Sequence, residues 1–227
     1  MSPARDDGTE RTVTVDVGRV ALEGTLAVPN GSAGVVLFAH GSGSSRHSPR
    51  NRYVAEELQR SGLATVLADL LTPREEQLDA QTAALRFDIP LLAARLTALT
   101  DWVAGHEATE GLPVGLFGAS TGAAAALVAA AERPDTVAAV VSRGGRPDLA
   151  GESLRAVRQP TLLIVGGRDE TVIALNRQAI TSLGGEVRLE IVPGASHLFE
   201  EPGALERVAR LASDWFVTYL GRSERKG

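Results

Sequence analysis

The sequence predicts an α/β fold: a mostly parallel sheet with helices on both faces. Three observations lead there. The runs GVVLFAH (34–40), ATVLAD (64–69), PVGLF (113–117) and TLLIVGG (161–167) are continuously apolar, as strands covered on both sides must be. Between them lie stretches whose apolar residues recur at helical spacing. Strand and helix alternate along most of the chain, which calls for right-handed crossovers and therefore for parallel strands. In such sheets chemistry sits at the carboxyl ends of the strands.

Each element has its own signal. Val13, Val15 and Val17, then Val20, Leu22 and Leu26, alternate about a turn at Gly18, which reads as a hairpin. GVVLFAH follows as a central strand and ends in the glycine-rich GSGSS. Ser48 and Pro49 start a helix carrying Val54 and Leu58 one turn apart, and Gly62 stops it. After the strand ATVLAD, the stretch TPREEQLDAQ has no apolar period and is expected to be an exposed loop. From Pro90, the residues Leu92, Leu96, Leu99 and Val103 share a helical face as far as Gly105. Strand PVGLF, a helix over 121–132 ended by Pro134, strands TVAAVVS and TLLIVGG, a helix over 172–183 and strand EVRLEIV come next. The last helix runs from Pro202 to about Leu220, with Val208, Leu211, Trp215 and Tyr219 on its core face.

At 227 residues, 44% of them hydrophobic, the chain suits one well-buried core, so residues 1–221 are expected to form one domain, with 222–227 a loose tail. The net charge of -5 offers no basic surface for phosphates, which argues against nucleic acid as a partner and leaves small molecules. The absence of cysteine excludes a disulfide scaffold, a thiolate metal site and a cysteine nucleophile. The N-terminal residues lack the apolar core of a signal peptide, and no stretch reaches the roughly 18 apolar residues of a membrane span. The expectation is a cytoplasmic protein away from the membrane. Its oligomeric state is not legible.

The stretch GLFGASTGAAAAL (115–127) holds one serine, Ser120, where a strand passes into a helix. A turn this tight brings backbone against backbone, and Gly118 and Gly122 remove the side chains that would collide. Ser120 is left at the apex, above the sheet. The alanines 123–126 let the helix lie close to the strands. A glycine-serine-glycine pattern arises by chance often enough; its place between strand and helix is what carries it.

A serine hydroxyl needs a base and a group to orient that base. Of the four histidines, His197 follows the strand EVRLEIV, at a carboxyl end from which it can reach the apex; His40, His47 and His106 are placed less well. For the acid, Asp169 follows TLLIVGG directly, ahead of its rival Asp148. Asp69 comes too early for the order serine, acid, histidine that this sheet type uses. A developing oxyanion needs two donors, and the backbone N–H groups of Ser42, in the loop after His40, and of Thr121, at the helix start, can supply them. A dinucleotide fingerprint in HGSGSS would need glycine at the place of Arg46, and there is no phosphate-loop lysine.

The motifs HGSGSSRHSPRN, GASTG, GGRDE and GASH, in this order, resemble the α/β-hydrolase superfamily and, within it, the small dienelactone hydrolase-like proteins. The resemblance covers most of the chain. It implies an α/β-hydrolase fold with a mainly parallel sheet of about eight strands, a triad that needs no cofactor or metal, and no large lid; the interval from Ser142 to Pro160, where relatives insert one, is short. Dienelactone hydrolases proper carry cysteine where this chain has Ser120, which argues against dienelactone itself as substrate. Arg143 and Arg146, after TVAAVVS, are candidates to meet a substrate carboxylate, as arginines do in that family. The expected activity is cleavage of a small carboxylic ester or related acyl compound through an acyl-serine. Acyl transfer or thioester cleavage by the same triad, and a non-catalytic binding role, are the alternatives.

Overall fold

The computed structural model describes residues 10–41 and 43–221; Ser42 and the expected tail at 222–227 lie outside the described residues. The hairpin forms as its alternation predicts. Strands β1 (Arg11–Val17) and β2 (Val20–Ala27) pair in register from Val17↔Val20 to Arg11↔Leu26, and Gly18 takes the turn at φ 62. The remaining strands are β3 (Val35–Ala39), β4 (Ala64–Ala68), β5 (Val114–Ala119), β6 (Val137–Arg143), β7 (Thr161–Gly166) and β8 (Val187–Val192). They join one eight-stranded sheet in the order β1-β2-β4-β3-β5-β6-β7-β8. Among the described residues only the pairs β1/β2 and β2/β4 are antiparallel. This is the α/β-hydrolase fold.

Both faces of the sheet are covered, which is why the central strands read as unbroken apolar runs. Along β3, Val35, Leu37 and Ala39 belong to one core, while Val36 and Phe38 belong to the other. Helices α1 (Pro49–Arg60) and α6 (Ala204–Leu220) bury Val54, Leu58, Val208, Leu211 and Trp215 on the second face. On the first lie α3 (Ile89–Gly105) and α4 (Thr121–Glu132), with Ala179 of α5 (Glu170–Ile180). The sixth helix, α2, is described next. Helix α5 starts two residues earlier than its apolar pattern indicates, because Asp169 caps it and accepts the Val172 N–H at 3.4 Å.

One expectation is overturned. The stretch TPREEQLDAQ is not a loop: it forms α2 (Pro73–Thr82). Thr72 accepts the Glu75 N–H, and the Glu75 carboxylate accepts the Thr72 N–H in return, a capping box that starts the helix without apolar periodicity. Its inward face is polar. Asp79, 3% exposed, accepts the Leu85 and Arg86 amides and pairs with the Arg86 guanidinium, and Glu75 pairs with the buried Arg95. Ion pairs and a cap do here what a leucine stripe does elsewhere. Between Ser142 and Pro160 the chain makes only a short 3-10 segment, Pro147–Ala156.

Candidate active site

Ser120 stands between β5 and α4 at φ 51 and ψ −119, a conformation that costs a residue with a Cβ of the order of 1–3 kcal/mol. The two flanking glycines make this turn possible. A Cβ on Gly118 would lie 2.4 Å from Ala123 Cα, and one on Gly122 would lie 2.3 Å from the Ala39 carbonyl oxygen. Helix α4 is thereby pressed against both its own strand and the end of β3. The Ser120 N–H donates to the Arg143 carbonyl at 3.2 Å, and the Ser120 carbonyl accepts from Ala123 and Arg146, both at 3.1 Å. The strain is held by backbone bonds on both sides of the residue.

The structure brings His197 and Asp169 together. His197 Nδ1 donates to Asp169 Oδ2 at 2.6 Å, which leaves Nε2 facing away from the acid. The ring lies on Gly144, where a Cβ would be 3.4 Å from His197 Cε1. Gly144 directly follows Arg143, whose carbonyl holds the Ser120 amide, so base and serine flank the same two residues at the end of β6. The loops that carry acid and base are also braced to each other. The Arg168 N–H donates to the Ala195 carbonyl at 2.9 Å, Arg168 pairs with Glu201, and Glu201 accepts the Ser196 N–H at 2.9 Å. That last bond lowers the Glu201 pKa.

A strained serine, a carboxylate and an imidazole in this chain order, on this sheet, invite comparison with known proteins. The model of the dienelactone hydrolase family matches residues 22–219. The chain belongs to the dienelactone hydrolase family. The crystal structure of a dienelactone hydrolase from Anabaena variabilis is 63% identical and covers 94% of this chain and 99% of its own, with a TM-score of 0.92. A Mycobacterium tuberculosis protein that bears a provisional phosphoribosyl transferase name is 59% identical over 218 residues, 96% of this chain. This chain spans about half of that relative, 47% of its length. A dienelactone hydrolase-like promiscuous phosphotriesterase, P91 from metagenomic libraries, is 19% identical with a TM-score of 0.73, over 93% of this chain and 98% of its own, a likeness of fold alone.

In this dienelactone hydrolase family member a cleft of about 520 Å³ is lined among others by Ser44, His47, Arg50, Leu71, Arg86 and Thr121, the residue after Ser120; Ser120, Asp169, His197 and Arg143 are not among its lining residues. Gly41 also lines it, and a Cβ on Gly41 would approach Ser120 Cβ to 3.0 Å, so the cleft and the elbow are neighbours. Thr121 opens α4, where the first N–H groups and the helix dipole point out of the helix end. Ser42, the other oxyanion candidate, lies outside the described residues. The volume suits a small molecule.

The other singled-out residues are tied up in different ways. His40 is buried: its Nε2 accepts the Leu70 N–H at 2.9 Å, its Nδ1 donates to the Gly41 carbonyl, and burial lowers its pKa. It fastens the end of β3 to the loop after β4. His40, Asp69 and Glu76 bring potential ligand atoms within 4.8 Å of one another; both ring nitrogens of His40 are engaged and Asp69 pairs with Arg46. His106 packs against Trp102 in a tilted contact, ring centres 4.4 Å apart. Asp148, the rival acid, forms a two-pronged pair with Arg146 instead of meeting His197.

Arg143 is different from Arg146. Its side chain is buried, no carboxylate among the described residues pairs with it, and its Nε lacks a hydrogen-bond partner. It makes one long bond, from Nη2 to Asn51 Oδ1 at 3.5 Å, and lies 6.0 Å from the Phe199 ring centre. Burial, and then the charge of Arg50, lower its pKa to about 10. Arg143 is a candidate already from the sequence; its neighbours Arg50, Asn51 and Phe199 come from two other parts of the chain and are not marked by any sequence signal. Phe199, two places after His197, is at φ 56, one of three non-glycine residues with positive φ among the described residues, with Ser120 and Ala83.

Proposed function

We propose that the chain is a serine hydrolase that cleaves a small carboxylic ester through an acyl-serine intermediate. The reading is carried by one observation: the 2.6 Å bond from His197 to Asp169, with the ring resting on Gly144 beside the residue that holds the Ser120 amide. Ser120 Oγ attacks the ester carbonyl carbon while His197 Nε2 takes the hydroxyl proton. Asp169 keeps Nδ1 protonated and stabilises the imidazolium. The oxyanion is met by the N–H of Thr121, aided by the dipole of α4; the second donor expected from the sequence, Ser42, lies outside the described residues. His197 then gives its proton to the departing alkoxide. In the second half the same histidine deprotonates water, which attacks the acyl carbon, and the acid leaves as Ser120 recovers its proton.

Arg143 is proposed to receive an anionic part of the substrate, since a buried guanidinium without an acidic partner favours an incoming carboxylate. Arg146, paired with Asp148, has less to offer. The transferase name of the mycobacterial relative belongs to a protein about twice as long, and the half matched by this chain is the half read here as a hydrolase.

A panel of chromogenic esters, neutral and anionic and of increasing acyl length, tests the reading. Ser120→Ala should abolish turnover of all of them. Arg143→Met should lower kcat/KM for anionic esters by roughly ten- to a hundredfold, the value of one charge-assisted contact, and leave neutral ones near wild type. An unchanged profile would remove Arg143 from substrate binding.

A further inference from the structure

Asn176 lies in the middle of α5, fully buried, and takes no part in the chemistry proposed above. Its Nδ2 donates to the Val172 carbonyl at 2.8 Å, one turn back in the helix, and to the Gly145 carbonyl at 3.0 Å. Because both partners are carbonyls, the amide can sit only one way round, and Oδ1 is then left buried without a partner. A buried polar side chain that leaves an acceptor unsatisfied is costly, and the bond to Gly145 is what it secures.

Gly145 belongs to the short loop on which nucleophile and base both rest. Arg143 accepts the Ser120 N–H, Gly144 donates to the Ile164 carbonyl at 2.7 Å and carries the His197 ring, and Arg146 donates to the Ser120 carbonyl. Each residue from 143 to 146 thus has a backbone bond, and the one at Gly145 comes from a side chain of α5. Asp169 caps the first turn of that same helix. We propose that Asn176 is a positioning residue: through α5 it locks the 143–146 loop in register with Asp169, so that the acid, the base and the serine are set by one rigid element. The inference rests on the roles assigned to these three residues in the proposed function.

The test compares wild type, Asn176→Leu and Asn176→Ser, with Thr100→Val as control. Thr100 is a buried residue of α3 whose hydroxyl donates only within its own helix, to the Leu96 carbonyl at 2.8 Å. Melting temperature, the rate of labelling by a fluorophosphonate, kcat and KM on one ester, and the pH dependence of labelling are measured for each. Asn176→Leu keeps the branched outline of the side chain, though it is bulkier, and loses the donor; it should slow labelling and kcat roughly ten- to a hundredfold through misalignment, with KM little changed. The acid limb of its pH profile should move, since the ring no longer rests on a fixed loop. Thr100→Val should change melting alone. Should Asn176→Leu not fold, Asn176→Ser, which can still bond Val172 but is too short for Gly145, carries the same expectation. A folded variant at position 176 that labels at the wild-type rate with an unmoved pH profile overturns the inference and leaves the triad untouched. A folded wild type that never labels overturns the functional reading, and this inference with it.

Discussion

Replacing Ser120 by glycine should leave the protein more stable than replacing it by alanine. Both changes remove the hydroxyl, so hydrogen bonding by Oγ cancels in the comparison. Alanine keeps a Cβ at φ 51 and ψ −119, and glycine does not. The strain released is about 2 kcal/mol, the middle of the range for a residue held in so sparsely populated a region. Against this, glycine makes the unfolded chain more mobile by about 1 kcal/mol. The net expectation is about 1 kcal/mol in favour of Ser120→Gly, which in a domain of this size corresponds to roughly 2–4 °C in melting temperature. Calorimetry on the two purified variants, at matched pH and concentration, reads the difference directly. If the alanine variant melted as high as the glycine variant or higher, the backbone at residue 120 would not be strained, and the reasoning about the elbow would fail.

Three further outcomes are expected. Asp169→Asn should keep the helix cap, because asparagine caps as well as aspartate, yet lower kcat by roughly ten-thousandfold, the effect of misassigning the imidazole proton in a serine triad; equal kcat would remove the acid from the mechanism. Gly122→Ala should cost about 1–3 kcal/mol or prevent folding, since its Cβ would meet the Ala39 carbonyl at 2.3 Å, whereas Gly105→Ala, at the end of α3 with nothing within 4 Å, should be neutral or slightly stabilising by thermal melting. Glu75 is held at a pKa of about 2, first by its hydrogen bond with Arg95, below its usual 4.5. Its folded pKa is depressed, so its contribution is complete above about pH 4.5 and is lost as pH falls towards 2. Glu75→Gln should therefore show a flatter fall in stability over that window than wild type, as followed by circular dichroism.

How much of this was legible in the sequence follows from what each residue is buried against. The central strands were plain because each is covered on both sides, and β3 buries every residue from Val35 to Ala39. Helix α2 was hidden because its inner face is Asp79 and Glu75, not leucine; the signal that could have found it was the capping box at Thr72 and Glu75. Ser120, Asp169 and His197 stood out as candidates because each lies within a few residues of the carboxyl end of a strand, β5, β7 and β8 respectively. The isolation of Arg143 was not readable, since it depends on Arg50, Asn51 and Phe199 converging from distant segments. Asn176 lay in a helix whose sequence offers no reason to look at it, and only the fold brings it to Gly145.

The most direct test of the account is the mass of the protein after brief exposure to a slowly released acyl ester or a fluorophosphonate, followed by peptide mapping. The account predicts a single added group, located on Ser120 and absent from Ser120→Ala, with formation slowed when His197 is replaced by glutamine. Turnover of an ester with the adduct on another residue, or with full activity retained in Ser120→Ala, would contradict it.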